Sequence, residues 1–238
     1  MTGIILLILL LARFVYAFFL HYDRLTLEAA YLLLNYFLIT LLIRINKPQL
    51  YLLNFDRNSM FFFVLLGITY AVLLYQSVGI FLFLMVVYNR DLLSQNVAFA
   101  KTESSLKSIL LGVLGVLTLL IYFWAQPDAL RFSGNVEIAG AILQANAPVV
   151  FFEEFIFRGV LWMALRKINL SERWILMTQA ALFGFAHYYF YFDYPVFLFV
   201  VIPISGILFG AMVYRTKSIF LSLVCHFLFN IVANLLLF

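Results

Sequence analysis

Long runs of apolar residues, separated by short polar segments, extend along the whole chain. A helix needs about 20 mostly apolar residues to cross a lipid bilayer. Runs of this kind lie near residues 3–20, 26–43, 59–74, 78–90, 108–125, 141–166, 174–190, 196–214 and 218–237. The pattern predicts an all-α fold, a polytopic bundle of about eight or nine transmembrane helices.

The number of spans depends on residues 58–90, which form either one long tilted helix or a hairpin that turns near residues 76–79. Basic residues bear on this choice, because cytoplasmic loops are enriched in Lys and Arg. Most of them lie in four segments, at 44–57, 90–107, 166–173 and 215–217. These segments fall on one face only if 58–90 crosses twice. This favours nine spans with a cytoplasmic N-terminus, whereas one long helix gives eight.

Composition narrows the class of protein. Of the 238 residues, 66% are hydrophobic and 11% are charged, and the mean hydropathy is +1.07. Soluble domains are about one quarter charged, so this chain cannot cover a soluble surface. Soluble enzymes, nucleic-acid readers and secreted modules are excluded, and the lipid bilayer is the expected partner. The net charge of +4 then reports orientation in the membrane, not a nucleic-acid partner.

Polar residues at membrane depth are concentrated in the second half of the chain. A charge at the centre of a bilayer costs from about 2.5 kcal/mol upward, so it usually faces a protein interior and marks function. The residues are Glu153, Glu154 and Arg158 in one predicted span, His187 in the next span, and His226 with Asn230 in the last span. Counted from the cytoplasmic ends of their spans, they lie at roughly 12–20 Å depth. Matched depth on three helices predicts one shared site.

Spacing gives these side chains directions. Glu154 and Arg158 are four residues apart, so they share a helix face and can form an ion pair. Glu153 is rotated by about 100° from Glu154 and is therefore free to point toward a neighbouring helix. His226 and Asn230 are also four residues apart and project together.

Each polar residue also has a structural explanation when it is taken alone. A single intramembrane histidine is often a hydrogen-bond partner between helices, and a Glu–Arg pair often holds helices together. Arg13, in the first span, is expected to extend toward a headgroup or to pair with Glu28 or Asn35, which is a structural role.

Three motifs occur in order in the second half. They read Glu-Glu-x-x-x-Arg at 153–158, Phe-x-x-x-His at 183–187 and His-x-x-x-Asn at 226–230. With these motifs the sequence resembles the CPBP family of intramembrane proteases, which includes the type II CAAX prenyl proteases and bacteriocin-processing relatives. The resemblance covers about residues 140–235. The chain is expected to form one continuous membrane domain. Within it, residues 1–135 form helices without a recognisable motif, and residues 136–238 form a CPBP-like catalytic bundle.

The resemblance implies that the chain is a hydrolase, an endopeptidase that cuts peptide bonds within or near the membrane. Glu153 and His187 are then expected to activate a water molecule. His226 and Asn230 are expected to donate hydrogen bonds to the developing oxyanion.

In this interpretation the supporting residues are Glu154, Arg158 and Phe183. Arg158 would hold Glu154 ionised and fix the helix face, and Phe183 would pack beside the site.

Metal dependence is open at this point. The family is often described as metalloproteases, and Glu153, His187 and His226 could bind zinc with an open fourth position. The chain has no His-Glu-x-x-His pair, and its single cysteine, Cys225, excludes a cysteine-based zinc cluster. A metal-independent glutamate mechanism without a cofactor is favoured.

Two other classes of function remain as alternatives. One is a catalytically silent membrane scaffold or immunity factor, which the intact motifs disfavour. The other is a proton or cation transporter, which is disfavoured because no internal repeat is visible. The expected protein is integral to the membrane and multi-pass, in the plasma membrane if the source is bacterial. Its expected substrate is a membrane-associated protein or peptide precursor, prenylated or not.

Overall fold

A computed structural model gives the architecture of the chain. It describes residues 2–19, 24–73, 98–101, 146–191 and 193–237, together with positions 84–85, 87–88, 90, 110, 112–114 and 117. Within these residues the chain is helical and contains no β-strand. The predicted all-α fold is confirmed for this part of the protein.

The N-terminal half contributes three α-helices. Helix α1 covers Thr2–Phe19, α2 covers Arg24–Ile45 and α3 covers Arg57–Leu73. A 3₁₀ segment, Lys47–Leu53, joins α2 to the turn before α3. Helix α1 packs on α2. Both α1 and the 3₁₀ segment contact Phe155–Leu161 in the C-terminal half.

The C-terminal half contributes four helices. Helix α4, residues 146–167, contains a wide π turn at Phe155–Leu161. Helix α5 covers Glu172–Phe185, and a single 3₁₀ turn follows at Tyr188–Phe190. Helix α6, Phe197–Thr216, begins with a second π turn, and α7 covers Phe220–Leu237. Turns of the π type inside α-helices are frequent at functional sites, and the first one here begins directly after Glu154.

Helices α5 and α6 form an extensive contact between neighbouring helices. They approach closely at Gly206, where an added Cβ would lie 3.3 Å from the Cα of Ala180. Gln179 crosses the same contact, because its Nε2 donates to the backbone oxygen of Gly206 at 2.9 Å. Small residues at a crossing allow two backbones to come close together, which fixes α5 against α6.

A polar junction joins the N-terminal and C-terminal halves at one end of the bundle. Asp56 caps α3, because its Oδ1 accepts from the backbone nitrogen of Ser59 at 2.8 Å. Its Oδ2 accepts from the Ser218 hydroxyl, just before α7, at 2.7 Å. Asn54 Nδ2 donates to the backbone oxygen of Arg158 in the π turn at 2.8 Å. The turn between α2 and α3 is thereby tied to both α4 and α7.

The predicted spans and the described helices agree closely at most ends, with one difference that matters for the site. The span predicted for 174–190 ends as an α-helix at Phe185, so His187 lies just beyond α5 and not within it. The predicted hairpin at 76–79, most of the runs 78–90 and 108–125, and the first five residues of the run 141–166 lie outside the described residues.

The number of spans and the domain boundary stay predictions. Among the described helices, α6 is long and apolar enough to cross a membrane, with a mean hydropathy of 2.3 over its best window, of which 56% is buried. Shorter apolar stretches occur in α1, α2, α3 and α7. Buried residues of α1, α2 and α3 share one hydrophobic core with those of α4 to α7.

Candidate active site

The two neighbouring carboxylates of α4 lie at the centre of the candidate site and point to different partners. Glu153 and Glu154 are both buried, with 1% and 0% exposure, at the last turn before the π turn. The sequence predicted that Glu153 would point away from the Glu154–Arg158 face. This prediction is confirmed, since Glu153 reaches side chains of three other segments whereas Glu154 faces Arg158 and α7.

Glu154 is surrounded by donors on both of its oxygens. Its Oε1 lies 3.0 Å from Nη1 of Arg158 and 2.8 Å from Nδ1 of His226. Its Oε2 accepts a short hydrogen bond from the hydroxyl of Ser222. The predicted ion pair with Arg158 is therefore present. Because these contacts occupy both oxygens, Glu154 links α4 to α7 and has little capacity left for a substrate.

Glu153 has a different environment. Its Oε1 accepts from Nη2 of Arg13 in α1 at 2.5 Å. Nε2 of His187 lies 3.7 Å from Oε1, and Nε2 of His226 lies 3.6 Å from Oε2. Oε2 makes no hydrogen bond with the described residues. Both imidazole contacts are too long for direct hydrogen bonds, and they are short enough for one water molecule to touch both partners.

The outer nitrogens of both histidines are held by acceptors. Nδ1 of His187 lies 2.7 Å from the backbone oxygen of Phe183, and Nδ1 of His226 contacts the Glu154 carboxylate. Carbonyl and carboxylate oxygens only accept, so both Nδ1 atoms carry a proton. In a neutral ring the lone pair is then on Nε2, the nitrogen that faces Glu153.

Aromatic rings enclose the cationic and imidazole groups. The guanidinium carbon of Arg158 lies 4.2 Å from the ring centre of Phe183, and the same ring lies 4.5 Å from that of His187. Phe209 of α6 stacks on His226 with ring centres 4.9 Å apart. The predicted packing of Phe183 beside the site is confirmed. These apolar neighbours exclude water from the charges and strengthen their interactions.

Asn230 lies one helical turn after His226 on α7 and is partly buried. The spacing of four residues places both side chains on one face of α7, as the sequence predicts. The structure therefore brings Glu153, His187 and His226 together in direct contact range, and places Asn230 on the adjoining turn.

Arg13 is the site residue that sequence reasoning assigned wrongly. It was expected near a headgroup, Glu28 or Asn35, but it is 1% exposed and forms a buried ion pair with Glu153, 140 positions away. One signal in the sequence was available: Arg13 is a cation in the middle of an apolar run, and the second half holds more intramembrane carboxylates than Arg158 can neutralise.

The arrangement does not fit a divalent metal ion held by Glu153, His187 and His226. The described residues contain no group of three or more His, Cys, Asp or Glu side chains in a metal-binding arrangement. The carboxylate that would have to bind the ion already carries the Arg13 guanidinium at 2.5 Å. Two cations on one buried carboxylate repel each other strongly at this distance.

Comparison with known proteins agrees with the motifs. Residues 135–232 match the family model of the type II CAAX prenyl endopeptidase Rce1-like proteins. The match covers less than half of the chain and includes all three motifs, and it supports the resemblance of this segment to the CPBP intramembrane proteases. No curated protein and no solved structure matches this chain.

Proposed function

We propose that this protein is an intramembrane endopeptidase that hydrolyses a peptide bond of a membrane-associated protein or peptide precursor. The observation that carries the proposal is the convergence of two imidazole Nε2 atoms on the Glu153 carboxylate, at 3.7 and 3.6 Å, inside a buried apolar setting. A base and a second acceptor around one water position are what peptide hydrolysis requires.

In this proposal Glu153 is the general base. It takes a proton from the water as the water oxygen attacks the carbonyl carbon of the substrate, and the peptide C–N bond then breaks as that proton passes to the departing amine. The lone pair on Nε2 of His187 orients the water, and the Phe183 carbonyl keeps that lone pair in place by accepting from Nδ1. General acid–base catalysis of this kind contributes about 10²–10⁴-fold in rate.

His226 and Asn230 are proposed to stabilise the oxyanion. His226 lies between the carboxylates of Glu153 and Glu154, and in this role its Nε2 carries a proton that it donates to the oxyanion. Asn230 adds an amide donor from the next turn of α7. Loss of one such donor typically reduces kcat by about 10²–10³-fold.

Glu154, Arg158 and Phe183 support the site without touching the substrate. Glu154 orients His226 through its Nδ1 proton, and Arg158 balances the charge of Glu154. Phe183 contacts both histidine rings, with ring centres at 4.5 and 5.5 Å. These contacts hold the catalytic groups in one geometry, which is the requirement for a pre-organised site.

The mechanism is proposed to run without a metal ion, since the Arg13 guanidinium already balances the charge of the Glu153 carboxylate. Turnover is therefore expected to survive exhaustive dialysis against a membrane-permeant chelator. Loss of turnover on dialysis and its return with zinc would contradict the metal-independent form of the proposal.

The substrate class follows from the setting of the site. A buried site in a multi-pass membrane protein of eight or nine spans suits a substrate that is itself in or on the membrane, and no nucleic-acid partner is proposed. The same chemistry acts on a prenylated C-terminal tail and on a leader peptide, so the substrate must be identified from its products.

The test compares membranes that contain wild type with membranes that contain Glu153→Gln at equal abundance. Released peptides and new protein termini are identified by mass spectrometry. Glu172→Gln is the matched control, because Glu172 is a half-buried carboxylate that pairs with Arg166 away from the site. We expect termini that occur with wild type and with Glu172→Gln and are lost with Glu153→Gln.

Other outcomes favour the alternative functions. Identical termini in all three preparations would contradict proteolysis. A cellular phenotype that persists in Glu153→Gln would then favour a scaffold or immunity factor, and a proton flux that Glu153→Gln abolishes would favour a transporter.

A further inference from the structure

Arg13 is a buried cation on a helix outside the Rce1-like match, which begins at residue 135. It lies on α1 (Thr2–Phe19), eleven residues after the first residue of the helix and six before the last. Its 1% exposure shows that its side chain does not reach the surface. The residue to which it extends is Glu153, at 2.5 Å.

We infer that Arg13 is a positioning residue of the active site, which orients the Glu153 carboxylate and holds it in the ionised form that can accept a proton. Helix α1 is then part of the catalytic apparatus and not only a neighbour of it. This inference rests on Glu153 acting as the base proposed above.

The geometry of the contact separates the two oxygens of Glu153. Arg13 holds Oε1, whereas Oε2 makes no hydrogen bond with the described residues and faces Nε2 of His226 at 3.6 Å. A carboxylate that is fixed through one oxygen presents the other in a constant direction. Oε2 is therefore the oxygen that is available to take the proton from water.

The charge of Arg13 matters because Glu153 is buried among apolar groups. Burial alone disfavours an ionised carboxylate, whereas an opposite charge at hydrogen-bond distance favours it. Arg158 is engaged with Glu154 at 3.0 Å. Among the residues that the structure describes, Arg13 supplies the guanidinium that lies within ion-pair distance of Glu153.

Aromatic side chains hold the guanidinium in place. The ring centre of Tyr16 lies 5.5 Å from the guanidinium carbon of Arg13. Tyr16 stacks on Tyr31 of α2 with ring centres 4.4 Å apart, and Tyr31 meets the edge of Phe152, the neighbour of Glu153, at 6.4 Å. The wall formed by Tyr16, Tyr31 and Phe152 joins α1, α2 and α4 around the ion pair.

A purely structural role explains the pair less well. Desolvation of two charges largely offsets their attraction, so apolar residues of similar size often stabilise a protein equally well. A buried cation inside a membrane protein is by default a functional residue. Placement of this cation on the proposed base supports a function for it.

The test measures the ionisation of Glu153 directly, by its reaction with dicyclohexylcarbodiimide. This apolar reagent modifies protonated carboxyl groups, and the labelled residue is identified by peptide mass spectrometry. The full-length chain in lipid nanodiscs is compared as wild type, Arg13→Met, Arg13→Lys and Leu9→Ala. Leu9 is fully buried one turn earlier on the same helix, so its change disturbs the packing of α1 without removing the charge.

We expect labelling of Glu153 to rise at least about fivefold in Arg13→Met and to stay near wild type in Arg13→Lys and Leu9→Ala. Labelling of Glu154 should not change, since its own partners remain. Equal labelling of Glu153 in wild type and Arg13→Met would overturn the inference, and so would an equal rise in Leu9→Ala. If Arg13→Met does not accumulate, Arg13→Gln takes its place under the same criteria.

Turnover of the same preparations separates this inference from the proposed function. We expect kcat of Arg13→Met to fall about 100-fold with KM little changed, and Arg13→Lys to recover most of it. Full turnover by folded Arg13→Met overturns the inference, while Glu153→Gln remains inactive and the proposed function stands. Full turnover by Glu153→Gln overturns the proposed function, whatever the labelling shows.

Discussion

Two carboxylates that are adjacent in the sequence lie in opposite kinds of environment. Glu154 contacts Arg158, His226 and Ser222, and both of its oxygens are occupied. Glu153 has a close contact with Arg13 on one oxygen, and its other oxygen faces an imidazole at 3.6 Å without a hydrogen bond. Both are buried, so exposure does not distinguish them.

The difference teaches that reactivity at this depth follows from unused hydrogen-bonding capacity, not from charge alone. A carboxylate whose oxygens are all engaged is part of the framework, because any reaction there would break several contacts at once. A carboxylate held through one oxygen is both positioned and able to act. We therefore assign Glu154 to the framework of the site and propose Glu153 as the base.

The largest expected effect comes from removal of the charge that balances Glu154. Arg158→Met leaves a buried carboxylate without its ion pair, and we expect the free energy of unfolding to fall by about 3–5 kcal/mol. Arg166→Met on the same helix is the matched control, because its ion pair with Glu172 is half-exposed and such pairs contribute about 1 kcal/mol or less. Thermal unfolding in detergent measures both, and equal losses would contradict the assignment of Glu154 to the framework.

Removal of either histidine should lower turnover to a similar extent, whereas the loss of stability should differ between the two. His187→Ala and His226→Ala are each expected to lower kcat/KM by about 10²–10³-fold. His226→Ala should also lower the free energy of unfolding by about 1.5–3 kcal/mol, because its Nδ1 donates to a charged group. His187 donates to a neutral carbonyl, for which about 0.5–1.5 kcal/mol is expected. A larger stability loss in His187→Ala than in His226→Ala would contradict the hydrogen bond from His226 to the Glu154 carboxylate.

The smallest expected effect on turnover concerns Ser222, whose hydroxyl donates to Glu154. Ser222→Ala should lower the free energy of unfolding by about 1.5–3 kcal/mol and leave kcat of the folded protein within about threefold. Ser205→Ala is the control, since its buried hydroxyl donates to the neutral backbone oxygen of Ile202 and should contribute about 1 kcal/mol. A loss of kcat in Ser222→Ala of tenfold or more, measured at a temperature where both variants are folded, would place Glu154 in the reaction.

Much of the fold and part of the site could be predicted from the sequence. Apolar runs located the described helices, because a helix in a membrane needs a continuous apolar length. The Glu154–Arg158 pair followed from the spacing of four residues, and the rotation of Glu153 toward other helices followed from the helical period. These are local properties of one helix, and a single sequence contains them.

Contacts between helices distant in the sequence could not be predicted in the same way. The Arg13–Glu153 pair depends on how α1 packs against α4, and nothing local to either segment specifies that packing. The end of α5 at Phe185, before His187, depends on the turn that follows and not on hydrophobic periodicity. The Ser222 hydroxyl was missed for a similar reason, since a serine in an apolar helix has many possible partners.

The central claim is that Glu153 is the reactive carboxylate and Glu154 the structural one, and a paired measurement on Glu153→Gln and Glu154→Gln tests it most directly. Turnover per folded molecule and the midpoint of thermal unfolding are measured on the same preparations. The account predicts that Glu153→Gln loses far more turnover, whereas Glu154→Gln loses more thermal stability and keeps measurable turnover. A Glu153→Gln protein that cleaves its substrate, or a fully stable Glu154→Gln protein without turnover, would contradict the account.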